Sequence, residues 1–275
     1  MSTERVHFTK EKATMLATLY GRARDSMSAD PILGDRTAEE LIERIDYDFG
    51  RFRMHRGWTT GVALRARQLD AWAADFLGRD PAVTVLHLGC GLDSRVFRLD
   101  PPSGVRWYDV DYPDVIAVRH RLYPDREGYR MIGTSVTDVR WLERIPAERP
   151  ALVVAEGLLM YLSEGDIEDL FRGIADRFPS GQLMFDAISR LGVRLQRFNR
   201  PVRAAGATFT WALDDARLLE RWDRRIRLVT ELPVLDLPGV ERLPVGYRIP
   251  IRAMRLVPAF RRVGRLLRYE FSRPR

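Results

Sequence analysis

The sequence predicts a doubly wound, mostly parallel α/β sheet, closed at one edge by an antiparallel hairpin and preceded by a helical region. Three observations predict it. Apolar residues recur at helical spacing through the first quarter of the chain, four continuous apolar runs then alternate with helix-like stretches, and two alternating runs stand near the end. At 275 residues with 45% hydrophobic content the chain can bury one large core, so a single domain is expected over 1–275.

From Lys10 to about Arg24 the apolar residues Met15, Leu16, Leu19 and Tyr20 share a helical face, and "AEELIERIDYDF" reads as a second helix. "VALRARQLDAWAADFLG" is a third, with Leu64, Leu69, Trp72 and Leu77 turned inward and Gly78 as its C-cap. These make a helical front over 1–80. "VTVLHLG", "VRWYDVD", "ALVVAEG" and "QLMFDAI" read as strands buried on both faces and form the body of the sheet over 81–188. The polar, arginine-rich segment from Ser189 to about Thr210, with Pro201 and Gly206, reads as a lid within 189–215. "IRLVTELPVLD" and "RLLRYEF", within 216–275, alternate as the strands of an edge hairpin do.

Composition removes several classes. The single cysteine, Cys90, excludes an intrachain disulfide and Cys-rich metal sites, which fits a reducing cytosol with no metal. The opening "MSTERVHFTKEKATML" lacks the apolar core and cleavage site of a secretion signal. The longest apolar stretch, "ALVVAEGLLMYL", is broken by Glu156 and is shorter than the roughly 20 residues a bilayer needs, so a soluble protein without a membrane partner is expected. A formal charge of +7 would suit nucleic acid. However, only Lys10 and Lys12 are lysines, and the arginines spread along the whole chain with mild crowding from Arg248 to Arg275, the pattern of a solvated surface. Oligomeric state leaves no signature.

"VLHLGCGLDSR" carries the chemistry. Gly89 and Gly91, flanking Cys90 after a buried strand, bring backbone close to a ligand because glycine has no Cβ. The dinucleotide fingerprint would place a third glycine where Ser94 stands, and Asp93 beside the turn would repel a pyrophosphate. Asp93 and Ser94 read as capping residues of the next helix. The second strand ends in "YDVDYP", and Asp111 follows Gly91 by about the twenty residues at which an acid accepts ribose hydroxyls. Glycine turn and acid together indicate a nucleoside without phosphates and with a sulfonium, S-adenosylmethionine. A plain strand-turn-helix with a capping aspartate is the alternative.

"LHLGCGLDSRVFRL", "WYDVDYPDV", "SVTD..WL" and "AEGLLMYL", in this order and spacing, resemble the leucine carboxyl methyltransferase family, especially its bacterial O-methyltransferases of polyketide biosynthesis. The resemblance covers nearly the whole chain, including "EKATMLATLYGRA", "IDYDF", "FTWALDD" and "LLRYEF". It implies a seven-stranded, Rossmann-like class I methyltransferase fold. It also implies that Gly89, Cys90 and Gly91 pass beneath the methionine part of S-adenosylmethionine and that Asp111 holds the ribose. Arg65 of the "RxRxxD" pattern and Lys12 would hold the cofactor carboxylate, as a guanidinium fork with an ammonium beside it can. Arg67 is the alternative should the helix present its other face. Glu156, expected at a strand end because burying it unpaired is costly, would pair with the cofactor ammonium. Ser135 and Val136 match the adenine contact, where relatives often carry an aspartate, and Asp138 reads as a cap.

Methyl transfer from a sulfonium is an in-line displacement, which requires an aligned acceptor oxygen in a site that excludes water. A carboxylate acceptor needs no base, whereas a phenol does. His7 and His55 in the front, His87 in the first strand and His120 in a helix read as structural. No catalytic base is therefore identified, and positioning falls to Tyr161 and Glu156. Met160, Tyr161, Phe209 and Trp211 could wall an aromatic acceptor, although such residues usually fill cores. Arg190 or Arg194 could pair with its acid. The expected function is an S-adenosylmethionine-dependent O-methyltransferase acting on a small, aromatic, polyketide-like carboxylic acid or phenol. A protein or RNA methyltransferase and a non-catalytic cofactor-binding regulator are the alternatives.

Overall fold

The computed structural model describes residues 4–6, 8–243 and 245–273. The front comprises β1 (Glu4–Arg5), α1 (Glu11–Ser26), α2 (Arg36–Arg44), β2 (Ile45–Asp46) and α3 (Arg56–Arg79). The sheet then begins with β3 (Thr84–Leu88), α4 (Arg95–Leu99), β4 (Arg106–Asp111), α5 (Pro113–Leu122), β5 (Tyr129–Gly133), β6 (Ala151–Ala155), α6 (Glu164–Arg177) and β7 (Ser180–Ile188). After these come α7 (Arg190–Leu195), α8 (Arg200–Ala205), α9 (Leu218–Trp222), β8 (Ile226–Pro233), α10 (Val245–Leu256), α11 (Pro258–Arg261) and β9 (Gly264–Ser272).

Seven strands form one sheet in the order β5-β4-β3-β6-β7-β9-β8. Its first five strands are parallel, while β9 runs antiparallel to both β7 and β8. The doubly wound sheet and the edge hairpin are thus those expected. Strand order turns back between β3 and β6, which opens a crevice at their carboxyl ends.

Alternation along the strands builds a core on each face. Leu86, Leu88, Tyr108 and Val110 pack with Ile167 and Phe171 of α6, whereas Val85, Trp107, Leu152 and Val154 meet Leu69, Trp72 and Leu77 of α3. A third cluster, with Leu16, Leu19 and Leu41 at its centre, holds the front together. All four residues of α3 expected to face inward, including Leu64, do so.

Several local expectations need correction. The second helix stops at Arg44, because Ile45 turns extended to pair in β2 and Asp48 accepts the Gly50 N–H to start a 3-10 turn. Gly78 is helical, and α3 ends at an extended Asp80 whose carboxylate accepts the Ala82 N–H. The seventh strand, β5, escaped notice since it lies at the sheet edge with only Ile132 of "YRMIG" buried. Helices α10 and α11 were hidden by Gly246, Pro250 and Pro258, and the segment that carries them is an insertion within the edge hairpin. The 189–215 segment is largely helical, and α8 lies against α1 and the Phe49–Phe52 turn.

Candidate active site

The β3 strand delivers the chain into a turn that only glycine accommodates. Gly89 and Gly91 have φ of +58° and +49°, and a Cβ would stand 2.8 Å from Leu158 Cδ1 at the first and 2.9 Å from Met15 Cβ at the second. This turn floors a cavity of about 260 Å³. One face of α1, with Thr14, Met15 and Thr18, forms its roof, and the tips of β4 and β6 bring Asp111 and Glu156 to its walls.

At one end the cavity wall is Asp111. Its oxygens accept the Gly91 and Tyr112 N–H groups, each at 2.7 Å, so backbone alone fixes the carboxylate. Each oxygen keeps acceptor capacity for a hydroxyl. Burial raises its pKa despite those two donors. Tyr112 lines the same end, and the Lys12 ammonium lies 4.5 Å above its ring while bonding both oxygens of Asp114 at 2.8 and 2.9 Å. The Cys90 thiol is buried and pushed up by that burial, which leaves it unreactive.

The other end is ionic. Glu156 follows β6 directly with its side chain 7% exposed, and its Oε2 accepts a 2.7 Å hydrogen bond from Arg95 Nη2. Its Oε1 is buried without a hydrogen-bond partner. Arg65 reaches across from α3, with Nη2 3.7 Å from Glu156 Oε1 and Nη1 3.6 Å from Asp186 Oδ2. Asp186 accepts the Gly157 N–H at 2.6 Å, and burial raises its pKa. Arg67 is exposed, so α3 presents Arg65 to the cavity.

Lys12, Arg65, Gly89, Cys90, Gly91, Asp111, Glu156 and Tyr161 therefore all line one cavity. Of the other residues weighed for the site in the sequence, His87 and Asp93 also reach this cavity, and the rest do not line it. Val136 is buried in the core beneath the Trp141 indole, which donates to its carbonyl, and the Ser135 hydroxyl bonds Thr137. Met160 and Trp211 are core residues, the indole packing on Trp222 and donating to Glu164. Phe209 stands one layer back, its ring 5.4 Å from that of Tyr161. Arg190 pairs with Asp214, and Arg194 is exposed. Ser94 bonds Asp35, Asp93 faces Arg22, Arg95 and Arg98, and Asp138 pairs with Arg140, so none of the three side chains caps a helix. His55 does cap α3, His120 is exposed and His7 lies outside the described residues.

Sequence reasoning missed the roof of α1, Tyr112, Leu158, Asp186 and the buried polar group around Arg95. The last of these had a signal in the sequence. Arg95 lies within the glycine-loop motif, and Asp70 closes the "RxRxxD" pattern. Among the described residues no group of His, Cys, Asp or Glu is arranged to hold a metal ion, and no helix is long and apolar enough to cross a membrane.

The residues present fit a nucleoside with a zwitterionic tail. Asp111 offers acceptors to a ribose, the glycine turn admits close approach, Glu156 Oε1 awaits a donor and Arg65 makes only loose ionic contacts. A crevice at the switch point of a seven-stranded sheet, with these groups around it, defines a class I methyltransferase that uses S-adenosylmethionine. The comparisons agree. Residues 13–175 match the leucine carboxyl methyltransferase family. The chain is 48% identical to the "Tetracenomycin polyketide synthesis O-methyltransferase TcmP" of Streptomyces glaucescens, over 98% of this chain and 99% of that one. It is 37% identical to the S-adenosyl-L-methionine-dependent methyltransferase dpfgK of Gibberella zeae, over 78% and 80% of the two chains. A solved structure from Thermobifida fusca superposes with a TM-score of 0.62 over 97% of this chain and 96% of its own, at 17% identity, and so shares the fold. The chain belongs to the leucine carboxyl methyltransferase family.

Proposed function

We propose that this methyltransferase esterifies the carboxylate of a small, aromatic, polyketide-like acid. The observation that carries the reading is the near full-length similarity to a polyketide O-methyltransferase, joined to a cavity whose histidine, His87, is held in other hydrogen bonds and so is not free to take a proton. When bound, S-adenosylmethionine supplies an electrophilic methyl on its sulfonium. Asp111 then accepts the ribose hydroxyls, while Glu156 and Arg65 receive the ammonium and carboxylate of the tail. Met15, Leu158 and Tyr161 exclude water from the gap in which the acceptor oxygen must align.

The histidine that lines the cavity is engaged elsewhere. His87 is locked between Asp109, 3.0 Å from Nδ1, and Arg95, 3.2 Å from Nε2. Burial pushes the Tyr161 phenol up to about 12, so it stays protonated and serves as a donor to an acceptor oxygen. A carboxylate needs no proton removed, whereas a phenol would. The segment 189–215 serves as the acceptor-side lid, a role supported by α8 against α1 and by Phe209 behind Tyr161. One domain in a cytoplasmic setting accords with a single buried thiol.

Incubation with methyl-labelled S-adenosylmethionine and a panel of aromatic acids and phenols tests the reading. Labelled product that mild alkali hydrolyses is an ester and is expected. Alkali-stable product is an ether and would replace carboxyl by phenol methylation.

A further inference from the structure

We propose that Arg95, buried below the cavity floor, is the positioning residue that aims Glu156 at the cofactor ammonium, so that a side chain outside the ligand's reach sets affinity for the amino-acid tail. The proposal rests on the reading of the cavity as an S-adenosylmethionine site. Arg95 opens α4 and is wholly buried. Its guanidinium is spread over four partners, Asp70 of α3, His87 of β3, Asp93 of the turn that follows β3 and Glu156 just past the tip of β6. Nε donates to Asp70 Oδ1 at 2.7 Å and Nη2 to Glu156 Oε2 at 2.7 Å, Nη1 faces His87 Nε2 at 3.2 Å, and Asp93 Oδ2 stands 3.4 Å away.

Two arginines are close enough to orient Glu156, and geometry chooses between them. Arg65 approaches only to 3.7 Å with its side chain 26% exposed, and it is shared with Asp186. Arg95 makes a short, charge-assisted hydrogen bond from a fully buried position, the kind that fixes direction as well as charge. Because Oε2 is pinned, Oε1 is the oxygen left buried and unpartnered. A buried carboxylate oxygen without a donor is costly, and an ammonium with three hydrogens relieves that cost.

The surroundings hold the guanidinium plane in turn. His87 Nδ1 lies 3.0 Å from Asp109, which assigns the ring proton to Nδ1 and leaves Nε2 to accept from Arg95. Asp70 comes from α3, the helix that also presents Arg65, so Arg95 ties that helix to the tip of β6. A planar fork can serve Asp70 and Glu156 together, which a lysine cannot do.

A fragment comparison separates positioning from a merely structural role. S-adenosylhomocysteine carries the tail, whereas 5′-methylthioadenosine has the same nucleoside and thioether without it. Calorimetric titration of Arg95→Met should weaken S-adenosylhomocysteine about 30-fold and leave 5′-methylthioadenosine within about twofold of wild type. Equal losses for both ligands, or no loss for either, overturn the proposal. Should Arg95→Met not fold, Arg95→Lys reads the same ratio, with about a tenfold selective loss expected. Wild-type protein that binds neither ligand overturns the site reading itself, a result distinct from equal losses in the variant.

Discussion

The two ends of the cavity hold their acids by different means. Asp111 is set by the N–H groups of its neighbour Tyr112 and of the adjoining glycine turn, so its geometry follows from the backbone of β3 and β4. Glu156 is set by side chains from α3 and α4, which are themselves held by Asp70, Asp93 and His87. A backbone-held group changes little when side chains are exchanged around it. A network-held group depends on every member, and mutations in one place are felt in another.

This contrast orders the consequences of substitution. Asp111→Ala removes two ribose acceptors and should weaken S-adenosylhomocysteine and 5′-methylthioadenosine alike, by about 100-fold or roughly 3 kcal/mol in calorimetry. A loss confined to the tailed ligand would erase the distinction between the ends. Next is the floor they share. Burial raises the Asp109 pKa, but the Arg119 guanidinium, with hydrogen bonds from His87 and Tyr129, outweighs it and holds the carboxyl at about 2, below its usual 3.8. A folded-state pKa below the unfolded one gives stability that is present above pH 4 and lost as pH falls through 2. Urea unfolding of wild type and Asp109→Asn should therefore show their stability gap narrowing by about 2 kcal/mol between pH 5 and the region below 2. An unchanged gap would mean that the Asp109 pairing contributes nothing.

Smaller effects sharpen the tail end. Arg65→Gln removes a half-sheltered cation with loose contacts, so S-adenosylhomocysteine should weaken about tenfold with 5′-methylthioadenosine unaffected. Lys12 already has Asp114 and the Tyr112 ring as partners, in a pair whose carboxylate is 52% exposed. Lys12→Ala should cost no more than about threefold, as expected for a solvated ion pair. A tenfold loss in that variant would return Lys12 to the cofactor carboxylate that the family resemblance implies.

How much could be read in the sequence follows the same division. Strands buried on both faces announce themselves as apolar runs, and Asp111 stands at a distance from Gly91 that the βαβ geometry imposes. Glu156 was visible because a carboxylate interrupts such a run. Arg65 was found through family resemblance, since its partners lie near 156 and 186, on strands far along the chain. Arg95 and Asp70 went unassigned for the same reason. Trp211 and Met160 read as wall residues because an apolar residue has the same pattern in a core as at a cavity wall, and only burial, with the packing of Trp211 on Trp222, separates the two. The α10 helix was invisible, for none of its residues is fully buried and Pro250 breaks its pattern.

The most direct measurement is a crystal structure of the protein soaked with S-adenosylhomocysteine. The ribose hydroxyls are expected on Asp111 and the ammonium on Glu156 Oε1, with Oε2 still on Arg95. The nucleoside lying elsewhere, or the tail turned away from Glu156, would contradict that arrangement.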